Sequence, residues 1–233
     1  EVVTEAPTEA APAIGTAEHP IKVLFVPSVD ANIITTGGDI MAQALKAATG
    51  LEFVVSVPTS YAATIEEMCA SPADTMGFIP GLGYVLAHDL CGVDVAFKAV
   101  RFGSDSYYAQ FLVLRDSPYK ELKDLEGKKW GTTDPGSTSG YMVPVVMFQE
   151  NGITVGETVE TGGHPQAVKA VYNGEVDFAT TFYSAPLRPE DLGPWKEGDP
   201  FEIPDELIAE CKVTEDGKNI VCGGYTVLDA RRN

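Results

Sequence analysis

The chain has 233 residues, of which 44% are hydrophobic and 21% charged, and it carries a formal net charge of −18. That length supports one large core or two units of about 100 residues each. So acidic a chain excludes nucleic acid as a partner, because no basic face is available to neutralise a run of phosphates, and the sequence has no run of 18 or more apolar residues long enough to cross a membrane.

Residues 1–19 are low in complexity and rich in Ala, Pro, Thr and Glu. Such a stretch buries too little apolar surface to order itself, and it reads as the disordered tether of an exported protein. A signal segment or lipid-bearing cysteine is expected upstream. Order is expected from the apolar run Ile21–Val26, a strand closed by Pro27-Ser28. Asp39–Thr49 reads as a helix with Ile40, Ala44, Leu45 and Ala48 on one face and Gly50 as its stop. Glu52–Val57 is a second strand, and Thr59-Ser60 caps a helix from Tyr61 to Cys69. A third strand, Thr75–Ile79, turns through Pro80-Gly81-Leu82-Gly83 into a helix over Tyr84–Leu90, and Val93–Val100 is a fourth strand. Strands alternating with helices at this spacing predict a largely parallel α/β layer.

Tyr107–Arg115 reads as a long strand that passes from one lobe to another, so lobe 1 is expected over residues 20–110 and lobe 2 over 111–233. A short helix over Glu121–Leu125 follows. Next comes Thr132-Thr133-Asp134-Pro135-Gly136-Ser137-Thr138-Ser139-Gly140-Tyr141, read as strand, turn and helix start, with Pro144 weakening the first turn. The first N–H groups of a helix have no partner within it, and the helix dipole puts partial positive charge there. Backbone donors with three hydroxyls therefore make a small anion site that needs no lysine or arginine. Gly162-Gly163-His164-Pro165 opens a further helix to Tyr172, Val176–Thr181 is a strand, and Tyr225–Leu228 is the last strand.

The four cysteines show neither a C-x-x-C pair nor a nearby histidine, which argues against zinc and for an oxidising compartment. Cys211 and Cys222 flank an Asp216-Gly217 hairpin signal, so a disulfide across that hairpin is expected. Cys69 and Cys91, each near the end of a predicted helix, are candidates for a second; four buried free thiols are the alternative.

Tyr61-Ala62-Ala63-Thr64-Ile65-Glu66, Tyr84-Val85-Leu86-Ala87-His88, Leu122-Lys123-Asp124-Leu125-Glu126-Gly127-Lys128 and Asp134 to Tyr141 occur in an order that resembles the phosphonate/phosphite/phosphate-binding proteins of bacterial ABC importers. The similarity runs from about Ile21 to Ser184. It implies a two-lobed type II periplasmic-binding-protein fold of the α/β class, each lobe a mostly parallel sheet flanked by helices. A small phosphorus oxyanion (phosphate, phosphite or an alkylphosphonate) is expected between the lobes. It also implies an extracytoplasmic location, ABC permease subunits as partners, no cofactor or metal, and contact with a membrane only through an upstream lipid anchor.

Carried over by position, Tyr61 donates its hydroxyl from lobe 1 and Tyr108 from the strand at the lobe boundary, with Tyr107 as the substitute. Ser137, Thr138 and Ser139 supply hydroxyls and amides from lobe 2, and His164 donates from its ring. Two departures bear on the ligand. Ser184 stands where the family's aminoethylphosphonate binders carry a carboxylate, which shifts the expectation toward phosphate, phosphite or a small alkylphosphonate. Pro80-Gly81-Leu82-Gly83-Tyr84 stands where relatives have Gly-Pro-Leu-Ser-Tyr, so a hydroxyl is lost at Gly83. The closing segments that relatives add after the Tyr225 strand are expected to be missing.

The leading expectation is a binding protein and not an enzyme. Ser137, His164 and Asp177 have the side chains of a nucleophilic triad, but no Gly-x-Ser-x-Gly elbow accompanies them. A ligand-sensing domain of the same fold, or a binder of another small organic ligand, is the remaining alternative.

Overall fold

In the computed structural model, residues 12–101, 104–196, 198–199, 202–215 and 220–227 are described. Strands β1 (Ile21–Phe25), β2 (Phe53–Ser56) and β3 (Thr75–Phe78) form a parallel sheet in the order β2-β1-β3. The central strand buries Val23 and Leu24 completely, which explains an apolar run there instead of alternation. Helices α1 (Ala31–Thr49) and α2 (Tyr61–Ala70) make the crossovers, and α3 (Gly81–Cys91) follows β3. Residues 12–19, the end of the stretch read as a tether, turn against this sheet. Glu52 N–H donates to the Gly15 carbonyl at 2.8 Å, and His19 Nε2 lies 2.6 Å from Asp74.

Two helix starts and one expected strand depart from expectation. Helix α1 starts at Ala31 and not at Asp39, because the Asp30 carboxylate caps it by accepting from the amides of Asn32 (2.9 Å) and Ile33 (3.4 Å). The β-branched run Ile33–Thr36 and Gly37-Gly38 hide that start in the sequence. Yet Gly38 is buried where a Cβ would stand 2.7 Å from Val55 Cγ1, so close packing on the sheet outweighs poor helix propensity. Helix α3 likewise starts at Gly81, earlier than Tyr84. Val93–Val100, expected as a fourth strand, pairs with no described strand, and Val95, Phe97 and Val100 are exposed. Strand-like alternation alone does not satisfy backbone N–H and C=O groups; a neighbouring strand has to be there.

The second sheet comprises β4 (Tyr108–Val113), β5 (Trp130–Thr132), β6 (Thr158–Glu160) and β7 (Phe178–Tyr183), in the order β4-β7-β5-β6. Strand β5 runs parallel to β6 and β7, and β4 runs antiparallel to β7. Strand β6 was not anticipated, and the run read as Val176–Thr181 pairs two residues later. Helices α4 (Val143–Glu150) and α5 (His164–Tyr172) flank this sheet. One core gathers Leu125, Trp130, Phe148, Ile153 and Phe178; a second packs Ala167, Ala170 and Val171 of α5 on Val176 and Ala179. The expected short helix is a tight 3-10 turn over Leu122–Leu125, closed by reciprocal caps between Glu121 and Asp124.

A small antiparallel sheet of β8 (Lys212–Val213), β9 (Ile220–Cys222) and β10 (Tyr225–Val227) covers a cluster of Ala185, Trp195 and Tyr225. Asp216-Gly217 and Leu228 lie outside the described residues. Both expected disulfides are present, Cys69–Cys91 and Cys211–Cys222. Among the described residues no helix is long and apolar enough to cross a membrane.

Candidate functional site

The turn after β5 is built by hydroxyls before it can offer any to a ligand. Pro144 has no N–H, so the Gly140 carbonyl, four residues earlier, has no helix donor from it. Thr132 Oγ1 (2.7 Å) and Thr180 Oγ1 (2.6 Å) donate to that carbonyl instead, and the Trp130 indole N–H donates to Thr180 Oγ1 at 2.9 Å. The helix accordingly opens as a wide π-type turn over Thr138–Met142 before α4 begins. Ser137 is its N-cap, accepting the Gly140 amide at 3.1 Å. Gly140 is required here, since a Cβ would stand 2.0 Å from Thr133 Oγ1 and 3.0 Å from Ser137 Oγ. Ser137 and Ser139 are buried, and Thr133 Oγ1 is buried with no hydrogen-bond partner among the described residues.

This turn meets the first lobe at the amino ends of two helices. The Leu82 amide of α3, whose N-cap Pro80 has no side chain to offer it, donates to Thr138 Oγ1 at 2.8 Å. The Tyr61 amide of α2 donates to Asp134 Oδ2 at 3.3 Å. Burial pushes the pKa of the Tyr61 hydroxyl well up, against the lowering influence of neighbouring Ser137 and aided by the Asp134 charge, and keeps it a neutral donor. The Tyr107 hydroxyl is also pushed up by desolvation, against the lowering influence of nearby Thr138, the Arg101 charge and Ser139. Tyr108 begins β4 opposite Tyr183, and the two neighbouring tyrosines are similarly exposed, 45% at Tyr107 and 42% at Tyr108.

His164 opens α5 and is buried. Its amide donates to the Ser28 carbonyl of the first lobe at 3.2 Å, its Nδ1 lies 2.7 Å from Thr181 Oγ1, and its ring stands edge-on to Phe182 at 4.8 Å. Burial pushes its pKa down to about 4, so the ring is neutral at pH 7. Ser184 follows β7, half-buried, beside a backbone that Gln110 holds by donating to the Phe182 carbonyl at 2.7 Å.

These contacts bring Tyr61, Tyr107, Ser137, Thr138 and Ser139 together, with His164 at the next lobe–lobe contact. No triad forms. Asp177 accepts from the Lys129 amide (2.8 Å) and the Tyr119 hydroxyl (3.2 Å) at the start of β7. Thr181, the partner of His164, lies four residues along that strand, roughly 13 Å away. Among the described residues no three His, Cys, Asp or Glu side chains gather as a metal site. The sequence reading missed Asp134, Leu82 and Ser28 as lobe–lobe partners, and Thr132, Thr180 and Thr181 as supports. The Thr-Thr pairs Thr132-Thr133 at the end of β5 and Thr180-Thr181 within β7 were the available signal.

A family model described as "ABC transporter, phosphonate, periplasmic substrate-binding protein" matches residues 23–202. The Phosphonates-binding periplasmic protein of Escherichia coli K12 is 39% identical over 85 residues, covering 34% of this chain and 25% of its own. The Phosphate-import protein PhnD of Mycolicibacterium smegmatis is 27% identical over 176 residues, covering 70% of this chain and 54% of its own. The chain thus spans about half or less of the curated relatives it matches. Among solved structures, PhnD1 of Prochlorococcus marinus in complex with methylphosphonate aligns with a TM-score of 0.60 at 17% identity, over 69% of this chain and 62% of that one. A binding-protein component of an ABC phosphonate transporter from Pseudomonas aeruginosa aligns with a TM-score of 0.59 at 21% identity, over 70% and 56%. These two likenesses establish the two-lobed type II fold.

Proposed function

We propose, for a chain that belongs to the family of periplasmic phosphonate-binding components of ABC transporters, that it captures a small phosphorus oxyanion between its lobes and presents it to a permease. The observation that carries this reading is the meeting of Ser137, Thr138 and Ser139 with the buried Tyr61 and the half-exposed Tyr107. A tetrahedral oxyanion needs donors from several directions. Hydroxyls, first-turn amides and a neutral imidazole supply them without desolvating a paired charge. His164, held neutral, offers Nε2–H when Thr181 donates to Nδ1.

Residues 20–110 and 111–233 act as the two jaws, and the ligand stabilises the closed arrangement by touching both. Ser184 leaves the rim after β7 without a carboxylate, which favours phosphate, phosphite or methylphosphonate over an ammonium-bearing phosphonate. The role is binding without chemistry, in an extracytoplasmic compartment that suits the two disulfides.

Calorimetric titration of the 233-residue chain with phosphate, phosphite, methylphosphonate, 2-aminoethylphosphonate and sulfate tests the proposal. At least one of the first three is expected to bind, and Ser137→Ala with Thr138→Ala is expected to weaken it tenfold or more. Unchanged affinity in that double variant overturns the site; binding of none of the phosphorus anions overturns the function.

A further inference from the structure

The Asp134 carboxylate touches both lobes at once. Its Oδ1 accepts the Gly136 amide at 2.7 Å, the bond of an Asx turn that shapes the loop before Ser137. Its Oδ2 accepts the Tyr61 amide at 3.3 Å. Tyr61 is the first residue of α2, so its N–H has no carbonyl partner within the helix. The cap residue Ser60 spends its hydroxyl on the Ala63 amide at 3.0 Å and leaves Tyr61 to Asp134. A carboxylate at a helix amino end is favoured by the dipole as well as by the hydrogen bond.

The same approach is written into Gly136. A Cβ there would stand 2.7 Å from Tyr61 Cβ, so a side chain at this position would prop the turn away from α2. One residue pair of the Asp134-Pro135-Gly136 turn therefore supplies both the attraction and the clearance. The loop that follows, Ser137–Ser139, is the one assigned to the anion.

We propose that Asp134 is the closure residue of the cleft, a positioning residue that docks the hydroxyl turn of the second lobe on the amino end of α2. The clasp consists of protein groups alone, so it acts with or without a ligand. It sets what fraction of molecules has the two lobes in register, and apparent affinity scales with that fraction. Only the affinity part of this proposal rests on the function proposed above.

Asp134→Asn separates the clasp from loop folding. Its single carbonyl oxygen keeps the Gly136 bond, and its amide then faces the Tyr61 N–H, donor against donor. Amide hydrogen exchange of the ligand-free chain reads the result. Protection at Tyr61 is expected to fall at least fivefold in Asp134→Asn, while the Gly136 and Ala63 amides stay as in the parent. Gly136→Ala, which retains the carboxylate but blocks the approach, is expected to lose the same protection at Tyr61. Unchanged protection at Tyr61 in Asp134→Asn overturns the proposal, as does equal loss at Gly136, which would make Asp134 a loop residue only. With inorganic phosphate as probe, Asp134→Asn is expected to bind at least threefold more weakly with faster dissociation. Equal or tighter binding, as simple relief of charge repulsion would give, overturns the affinity part. If the parent binds no phosphate, phosphite or methylphosphonate takes its place as probe; if it binds none of them, the function proposed above fails and the exchange measurement still decides Asp134.

Discussion

Thr133 Oγ1 occupies the space a side chain on Gly140 would need, 2.0 Å from the position of a Cβ. Thr133 is fully buried and its hydroxyl has no hydrogen-bond partner among the described residues, so the contact is steric and not a hydrogen bond. Gly140→Ala is expected to destabilise by about 1–3 kcal/mol, the usual cost of forcing atoms into a packed site. Thr133→Ala should cost less, since no hydrogen bond is lost. The double variant should recover at least half of the Gly140→Ala loss, because the two changes share one volume. Urea unfolding of the four proteins measures this; additive losses would show that the two residues do not compete for space.

His164 predicts a pH dependence with a definite sign. Its folded pKa is pushed down to about 4 from 6.5 by burial. Between those values the unfolded chain binds a proton that the folded chain refuses, so stability is full above about pH 6.5 and falls as pH drops toward 4. The ceiling is roughly 3 kcal/mol. His19, raised by its bond to the Pro12 carbonyl and by Asp74, acts in the opposite sense. Comparing His164→Gln with the parent cancels the His19 contribution. The variant should show a flatter stability profile from pH 6.5 to 4, and parallel profiles would contradict a buried neutral ring.

Most strands and helices were legible in order, β6 (Thr158–Glu160) excepted, because the apolar runs had strand length and the helices a cap, a proline start or a glycine stop. What escaped the sequence was context. The start of α1 depends on Gly38 packing against Val55, a contact between residues far apart in the chain. Val93–Val100 has the composition of a strand, and pairing is not a property of composition. In the site, Ser137–Ser139 and Tyr61 were readable as donors. Asp134 was read only as part of a turn signal, although its second oxygen reaches the other lobe. The choice between Tyr107 and Tyr108 turns on strand register, where one residue reverses the face.

The Cys69–Cys91 bridge joins the carboxyl ends of α2 and α3, whose amino ends hold Tyr61 and Leu82 at the cleft. Closing a loop with a sequence separation of 22 is worth on the order of 3 kcal/mol. Cys69→Ala with Cys91→Ala should lower stability by that order and also weaken phosphate binding, since both helix ends lose a common anchor. Removing Cys211–Cys222, which braces only β8 and β9, should lower stability while phosphate affinity changes less than twofold. Equal effects of the two pairs on affinity would sink the distinction.

Tyr107 and Tyr108 are adjacent, but they meet different surroundings. Tyr107 lies beside Thr138 and Ser139, whose hydroxyls draw its pKa down against burial, whereas Tyr108 is in ladder register with Tyr183 at the start of β4. A hydroxyl that joins the serine–threonine run orders the donors a phosphorus anion would use; one hydrogen bond of that kind corresponds to about 1.4 kcal/mol, or tenfold in affinity. Tyr107→Phe is therefore expected to weaken phosphate binding about tenfold and Tyr108→Phe less than threefold. Both variants keep the ring, so neither leaves a cavity, and thermal unfolding should differ little from the parent. Titration calorimetry of the two variants side by side decides the matter. The reverse ranking would place Tyr108 at the ligand and would mean that β4 slides by one residue when the lobes close.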